Sequence, residues 1–276
     1  MPLRLDALPT DAALPLVGQV LGADLSALGP QLSGAWAVWS PGGALLGALA
    51  LRPSPAHGQE VLGGAVAGVE QHEAARLLLG AAQATGPLYA YADEALLPAS
   101  ALQALGWREV SAYAQLSGPL PGGLPCAPDG VTLLPLADLS SPSQRLAAQR
   151  TYADRIGHTF ATEADVQPGA GGVNEDLSRV ALASSSQPLG ICRAWLDGHE
   201  LAVGSPGVHP DWRGGPLRRA LLLAVCQAAR AAGATTVTVD TWGDTPEERA
   251  DDLALGLSVI AFTPLYASGQ PPSATP

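Results

Sequence analysis

Val208-His-Pro-Asp-Trp-Arg-Gly-Gly-Pro-Leu-Arg-Arg-Ala-Leu-Leu222 brings three arginines into seven residues, just where an Ala/Leu-rich helix begins. A helix N-terminus carries partial positive charge, so cations in its first turn are unfavourable unless an anion answers them. Upstream, His199–Val208 reads as a strand. Downstream, Leu217–Gly233 reads as a long apolar helix stopped by glycine. Strand, glycine turn and helix start together make a place where backbone N–H groups and guanidinium groups converge on an anion.

Working outward, the elements around this stretch occur twice, about 130 residues apart. Leu3–Thr10 and Val131–Asp138 each open with a short strand leading into a helix cap. Ala35–Leu51 is a hairpin turning at Pro41-Gly42-Gly43, and Arg179–Trp195 is one turning at Ser185–Pro188. A strand (Glu60–Val69; His199–Val208) then precedes a long helix (Gln71–Gly86; Leu217–Gly233). A short strand (Pro87–Tyr91; Thr235–Thr241), a helix ending in Leu-Gly and a last strand (Glu109–Ser117; Ser258–Tyr266) complete each half. Gly118–Gly130 is a Pro/Gly linker. The expected organisation is a domain over 1–120, a linker over 121–130, a second domain over 131–269 and a frayed tail over 270–276.

Composition narrows the function classes. A net charge of −11 argues against general nucleic-acid or anionic-membrane binding, since both need a basic face. All 14 basic residues are arginine, so a single arginine carries less functional weight here than a local cluster does. Three widely spaced cysteines, no signal-peptide pattern and no apolar run of membrane-spanning length lead to the expectation of a cytoplasmic protein with free, buried thiols. The histidines and cysteines show no metal-ligand spacing, so no metal is expected.

The order of elements, Val208-His-Pro210 ending a strand, Arg213-Gly-Gly-Pro-Leu-Arg218 opening a helix, and Leu105-Gly-Trp107 with Leu255-Gly-Leu257 together resemble the GNAT acetyltransferase family in tandem form. The resemblance covers nearly the whole chain. It implies an α/β (α+β) class, with two GNAT-like domains, each a mixed, mainly antiparallel sheet flanked by helices. It also implies acetyl-CoA or another short acyl-CoA as co-substrate and a small-molecule amine as acceptor; a homodimer stays open. Val208, His209, Pro210, Arg213, Gly214, Gly215, Leu217, Arg218 and Arg219 fall on the coenzyme-binding segment. The family carries late glycines where Pro216 and Arg218 stand, and Pro216 has no N–H to offer a phosphate. The corresponding place in the first half, Val69–Arg76, has no glycine and two carboxylates, which would repel a diphosphate.

Acyl transfer to an amine needs a proton acceptor, an oxyanion donor and a proton donor for the thiolate. By the resemblance, the Val208 N–H is the oxyanion donor and Glu200 the candidate base. The tyrosine that often serves as acid is replaced by Asp252, so Tyr266 is the substitute candidate. Tyr152, Arg155, His158 and Phe160 fall in the region that caps the acceptor in the family, and Gln167–Val173 reads as a mobile loop over it. Trp242 is expected to line the coenzyme slot. Thr245, Pro246 and Glu248 form a capping-box pattern at a helix start. The expected function is an acyl-CoA-dependent N-acyltransferase using the second half. The alternative is a non-catalytic GNAT-like ligand-binding or interaction protein.

Overall fold

The computed structural model describes residues 2–54, 58–156 and 161–269, with the side chains at 27, 30 and 153–156 outside that description. Contacts divide the chain into two compact units. One runs up to Ala112 and resumes at Thr263; the other is Tyr113–Phe262.

The first unit contains β1 (Arg4–Ala7), α1 (Thr10–Leu21), β2 (Gly34–Trp39), β3 (Leu45–Ser54), β4 (Gly58–Ala65), α2 (Gln71–Gln83), β5 (Leu88–Tyr91), α3 (Ala99–Ala104) and the start of β6 (Arg108–Pro119). Strands β1 to β4 pair antiparallel in chain order, and β5 joins β4 in parallel. The β2–β3 hairpin turns where the sequence placed it. Gly43 N–H donates to Ser40 O at 3.0 Å with Gly43 at φ +84°, a conformation that favours glycine. Leu78 and Leu79 of α2 bury against Leu49, Leu51 and Leu88, and Ala13 and Val17 of α1 lie on the other side with Ala48 and Ala50.

The second unit contains the end of β6, β7 (Val131–Pro135), α4 (Pro142–Ile156), β8 (Arg179–Ala183), β9 (Pro188–Cys192), β10 (Ala194–Asp197), β11 (Glu200–Gly204), β12 (Gly207–Val208), α5 (Leu217–Ala231), β13 (Thr236–Trp242), α6 (Pro246–Ala254) and the start of β14 (Ser258–Ala267). One sheet section runs β6-β13-β11-β10, parallel only between β11 and β13; a four-stranded antiparallel section runs β12-β9-β8-β7. Leu217, Leu221, Leu222 and Val225 of α5 bury against Leu116, Leu201, Val203, Val237 and Val239.

The two closing strands do not stay with the halves that precede them. From Tyr113 onward β6 pairs with β13, and the end of β14 pairs with β5, Leu265 opposite Tyr91 and Ala267 opposite Tyr89. Tyr266 is therefore a residue of the first unit: 4% exposed, in the cluster with Leu102 and Trp107, its hydroxyl accepting from Gln103 Nε2 at 3.0 Å. It packs there as a core residue of that unit. Cys192 and Cys226 are buried, and burial raises both thiols, Cys226 to about 12. Cys126 is exposed in the linker, where no element covers it, contrary to the expectation of buried thiols. No described helix is long and apolar enough to cross a membrane.

The exchange is testable. The Ala92 amide donates to Pro264 O at 2.8 Å, and Leu88 O accepts from Ser268 N at 2.9 Å. In a chain ending at Phe262, the Ala92 amide is expected to lose its hydrogen-exchange protection while the Val239 amide of the second unit keeps it. Retained protection at Ala92 would mean that another segment fills the place of β14.

Candidate active site

The strand leading to Val208 breaks in two. β11 pairs with β13 up to Gly204 opposite Asp240; Ser205-Pro206 follows, and β12 pairs with β9 instead. Pro206 has no N–H for a ladder, so the break falls where the backbone cannot continue pairing. Gly207 lies opposite Ile191, and His209 N–H donates to Leu189 O at 2.8 Å. In antiparallel pairing, alternate residues bond to the partner strand, so Val208 turns its N–H and C=O away from β9 and into the gap opened beside β13. Gly207 is required: a Cβ there would lie 2.4 Å from Tyr152 N and Cα.

The loop to α5 is clasped from within. His209 Nδ1 accepts from Asp211 N–H at 3.4 Å, Pro210–Trp212 makes one 3-10 turn, and Arg213 Nε donates to Val208 O at 3.1 Å. Gly214 stands at φ +74°, and a Cβ built on it meets nothing within 4 Å. The first intrahelical bond of α5 is Ala220 N to Pro216 O at 3.0 Å, which leaves the N–H groups of Leu217, Arg218 and Arg219 at the open helix end. Arg213, Gly214, Gly215 and Arg219 are exposed, whereas the Leu217 side chain is fully buried in the core.

Arg218 departs from the sequence expectation. Its side chain is 6% exposed and turns inward. Nη1 donates to Asp252 Oδ1 at 2.8 Å; Nη2 donates to Asp252 Oδ2 at 2.7 Å, Asp244 Oδ2 at 2.5 Å and Ser205 Oγ at 3.3 Å. Ser205 Oγ also donates to Asp244 at 2.8 Å. The guanidinium is thus consumed by two carboxylates of its own chain and cannot also answer a phosphate. Burial works against its charge, but the hydrogen bonds to Asp252 and the charge of Asp244 outweigh this and hold it protonated. Burial pushes the Asp252 carboxyl up, and Arg218 pulls it back only in part, since two carboxylates share one cation. Arg218 and Asp252, two of the three positions where the sequence departs from the pattern it resembles, are partners of one another.

On the opposite face of the sheet, Tyr152 of α4 lies over the strand break, its hydroxyl 3.1 Å from where a Gly204 Cβ would be. Burial and the charges of Asp240 and Asp244 raise it to about 12, so it is a neutral hydroxyl across the working pH range. The stretch read as a mobile loop is pinned: Arg145 Nε donates to Val166 O at 2.7 Å, Trp195 Nε1 to Gly171 O at 2.8 Å, and Arg145 pairs with Glu175. Trp242 stands at the end of β13 with its ring 4.5 Å from that of Tyr113. Glu200 opens β11 at the end of the strand opposite the break, exposed, accepting from Thr238 Oγ1 at 3.1 Å. It is four residues from Gly204 on an extended strand, too far for a base at the gap. Arg155 lies in α4 with its side chain outside the described residues, and His158 and Phe160 lie outside them altogether. Sequence reading missed Tyr113, Gln115 and Asp240, which the β6–β13 pairing brings together.

This architecture is found in solved structures. A GCN5-related N-acetyltransferase from Sphaerobacter thermophilus superposes with a TM-score of 0.55 at 17% identity, over 98% of this chain and 96% of that one. A tandem GNAT protein from the clavulanic acid biosynthesis pathway gives 0.52 at 18% identity, over 99% and 100%. A conserved protein of Enterococcus faecalis V583, a probable N-acyltransferase, gives 0.55 at 11% identity, over 96% and 72%. No family model and no curated protein matches the sequence. The fold is GNAT-like, a mixed α+β architecture, as the order of elements led one to expect.

The Arg218 network makes two predictions. Arg218→Met strands two buried carboxylates and is expected to cost about 3–5 kcal/mol in urea unfolding. A raised carboxyl contributes stability that is fully present below its unfolded value and lost as pH rises through the folded one. Asp252→Asn lacks that loss, so its stability relative to the unaltered protein is expected to rise as the pH rises above the ordinary carboxylate range. A pH-independent difference would mean that Asp252 titrates normally.

Proposed function

We propose that the chain is an acyl-CoA-dependent N-acyltransferase that moves an acetyl or other short acyl group to an amine on a small molecule, with the coenzyme along Val208–Arg219 of the second unit. The observation that carries this reading is the Val208 N–H, turned into a strand gap that leads directly to an open helix start. The donors present fit a diphosphate: N–H groups of Leu217, Arg218 and Arg219, the uncluttered Gly214, and the exposed Arg219 side chain. Arg218 thus serves through its backbone N–H, not through a guanidinium fork on phosphate; its Nε–H is buried, with no acceptor among the described residues.

When bound, the coenzyme supplies an activated thioester carbonyl. The Val208 N–H stabilises negative charge on that oxygen. Tyr152, neutral at the strand break, is the proton donor best supported by position and charge state. Asp252 stands where the family's tyrosine stands, and its two oxygens are taken up by Arg218.

Calorimetric titration with acetyl-CoA tests the reading. The unaltered protein is expected to bind, and Arg219→Ala to bind about tenfold more weakly, one lost charge-assisted phosphate contact. Tyr152→Phe is expected to lower kcat by about 10²-fold or more with coenzyme binding intact. A non-catalytic ligand-binding protein is the second reading, favoured by the engagement of Asp252. Acetyl-CoA binding without consumption across a broad panel of amines decides for it; absence of acetyl-CoA binding overturns the acyltransferase reading and leaves an interaction protein.

A further inference from the structure

In the second unit the half-buried Asp240 forms no ion pair with an arginine among the described residues. On β13, Val237 and Val239 face α5, so Thr238, Asp240 and Trp242 share the opposite face. The register with β6 sets Gln115 opposite Asp240 and Tyr113 opposite Trp242. Tyr113 Oη donates to Asp240 Oδ1 at 2.9 Å, and Gln115 Nε2 donates to the same oxygen at 3.0 Å. Burial, then the hydrogen bond to Asp240, raises Tyr113 to about 12, so it stays a donor. Asp240 Oδ2 has no hydrogen-bond or ion-pair partner among the described residues. Beside it, Gly204 supplies no side chain, and beyond it the Tyr113 and Trp242 rings pack at 4.5 Å, tilted by 45°.

Four other shielded carboxylates pair with arginine, Glu60 with Arg52, Glu175 with Arg145, and Asp244 and Asp252 with Arg218, while Glu248 is engaged in the α6 capping box. At Asp240, one oxygen is oriented by two neutral donors and the other by none among the described residues; the Tyr113 and Trp242 rings pack nearby, and the Tyr152 hydroxyl lies over Gly204. That is the donor set for a cation with an apolar body: the carboxylate takes the charge, and the rings take the adjacent methylene or aryl surface.

We propose that Asp240, Tyr113, Gln115 and Trp242 form a binding site for an organic ammonium group carrying an aryl or alkyl chain. Asp240 stands where β11 and β13 part, its carbonyl accepting from Ser205 N–H at 2.8 Å. Resting on the acyltransferase reading, the ligand is the protonated form of the acceptor amine; the site itself stands without that reading.

The test titrates the full chain calorimetrically with phenethylammonium and, in parallel, with its neutral isostere phenethyl alcohol, at fixed ionic strength. Phenethylammonium is expected to bind, and the alcohol to bind at least about tenfold more weakly, the loss of one charge-assisted contact. Asp240→Asn is expected to abolish the preference for the ammonium, Trp242→Ala to weaken both ligands, and Asp197→Asn on the exposed end of β10 to change neither. Unfolding midpoints report whether each variant is folded. Equal affinity for the two ligands, unchanged preference in folded Asp240→Asn, or no binding of the ammonium by the unaltered protein overturns the proposal. Acetyl-CoA titrated in the same series separates the two readings: ammonium binding without coenzyme binding removes the acyltransferase and keeps the site, and coenzyme binding without ammonium binding does the reverse.

Discussion

The buried Arg218 guanidinium is the interaction on which the second unit's strand break depends. It joins the first turn of α5 to Ser205 just after β11, to Asp244 after β13 and to Asp252 in α6. A charge so placed is costly unless it is paired and hydrogen-bonded, and here two carboxylates and Ser205 meet its Nη groups. The α6 capping box serves this arrangement. Thr245 and Glu248 satisfy each other's backbone N–H groups at 3.3 and 3.0 Å, which fixes where the helix starts directly after Asp244. Glu248 and Asp252, four residues apart, then share the buried face of α6.

The same interaction shows what a local reading of sequence can reach. Arginines in a first helical turn do demand an anion, and that inference holds for Arg218. The anion, however, belongs to the chain itself, 26 and 34 residues away, and nothing in the loop announces it. The signal that was available was paired: a glycine position turned arginine and a tyrosine position turned aspartate. Taken one at a time, the first resembled a gained phosphate contact and the second a lost acid. Together they are one ion pair.

Elements set by short-range chemistry were legible. The hairpin turn with Gly43 at positive φ, the glycine-stopped α5 and the α6 capping box all follow from neighbouring residues. The partners of β6 and β14 were not. Glu109–Ser117 and Ser258–Tyr266 carry the same strand character, so the sequence does not say which takes its place beside β5 and which beside β13. That ambiguity carried Tyr266 to the wrong site in the sequence reading. It also hid Asp240, whose surroundings exist only because β6 brings Tyr113 and Gln115 against β13.

The break at Ser205-Pro206 therefore separates two electrostatic environments at the end of one strand. On the α5 face, carboxylates outnumber the guanidinium but are bound to it, so the charge is internal and the available groups are N–H donors: Val208 and the start of α5. On the α4 face, Asp240 keeps one oxygen without a partner among the described residues, near the packed Tyr113 and Trp242 rings, with a neutral phenol above Gly204. The first face offers hydrogen-bond donors suited to an anion, and the second a carboxylate oxygen suited to a cation. Glycine at 204 and 207 lets α4 approach the broken strand, because Tyr152 packs directly against both positions and a side chain at either would press into it.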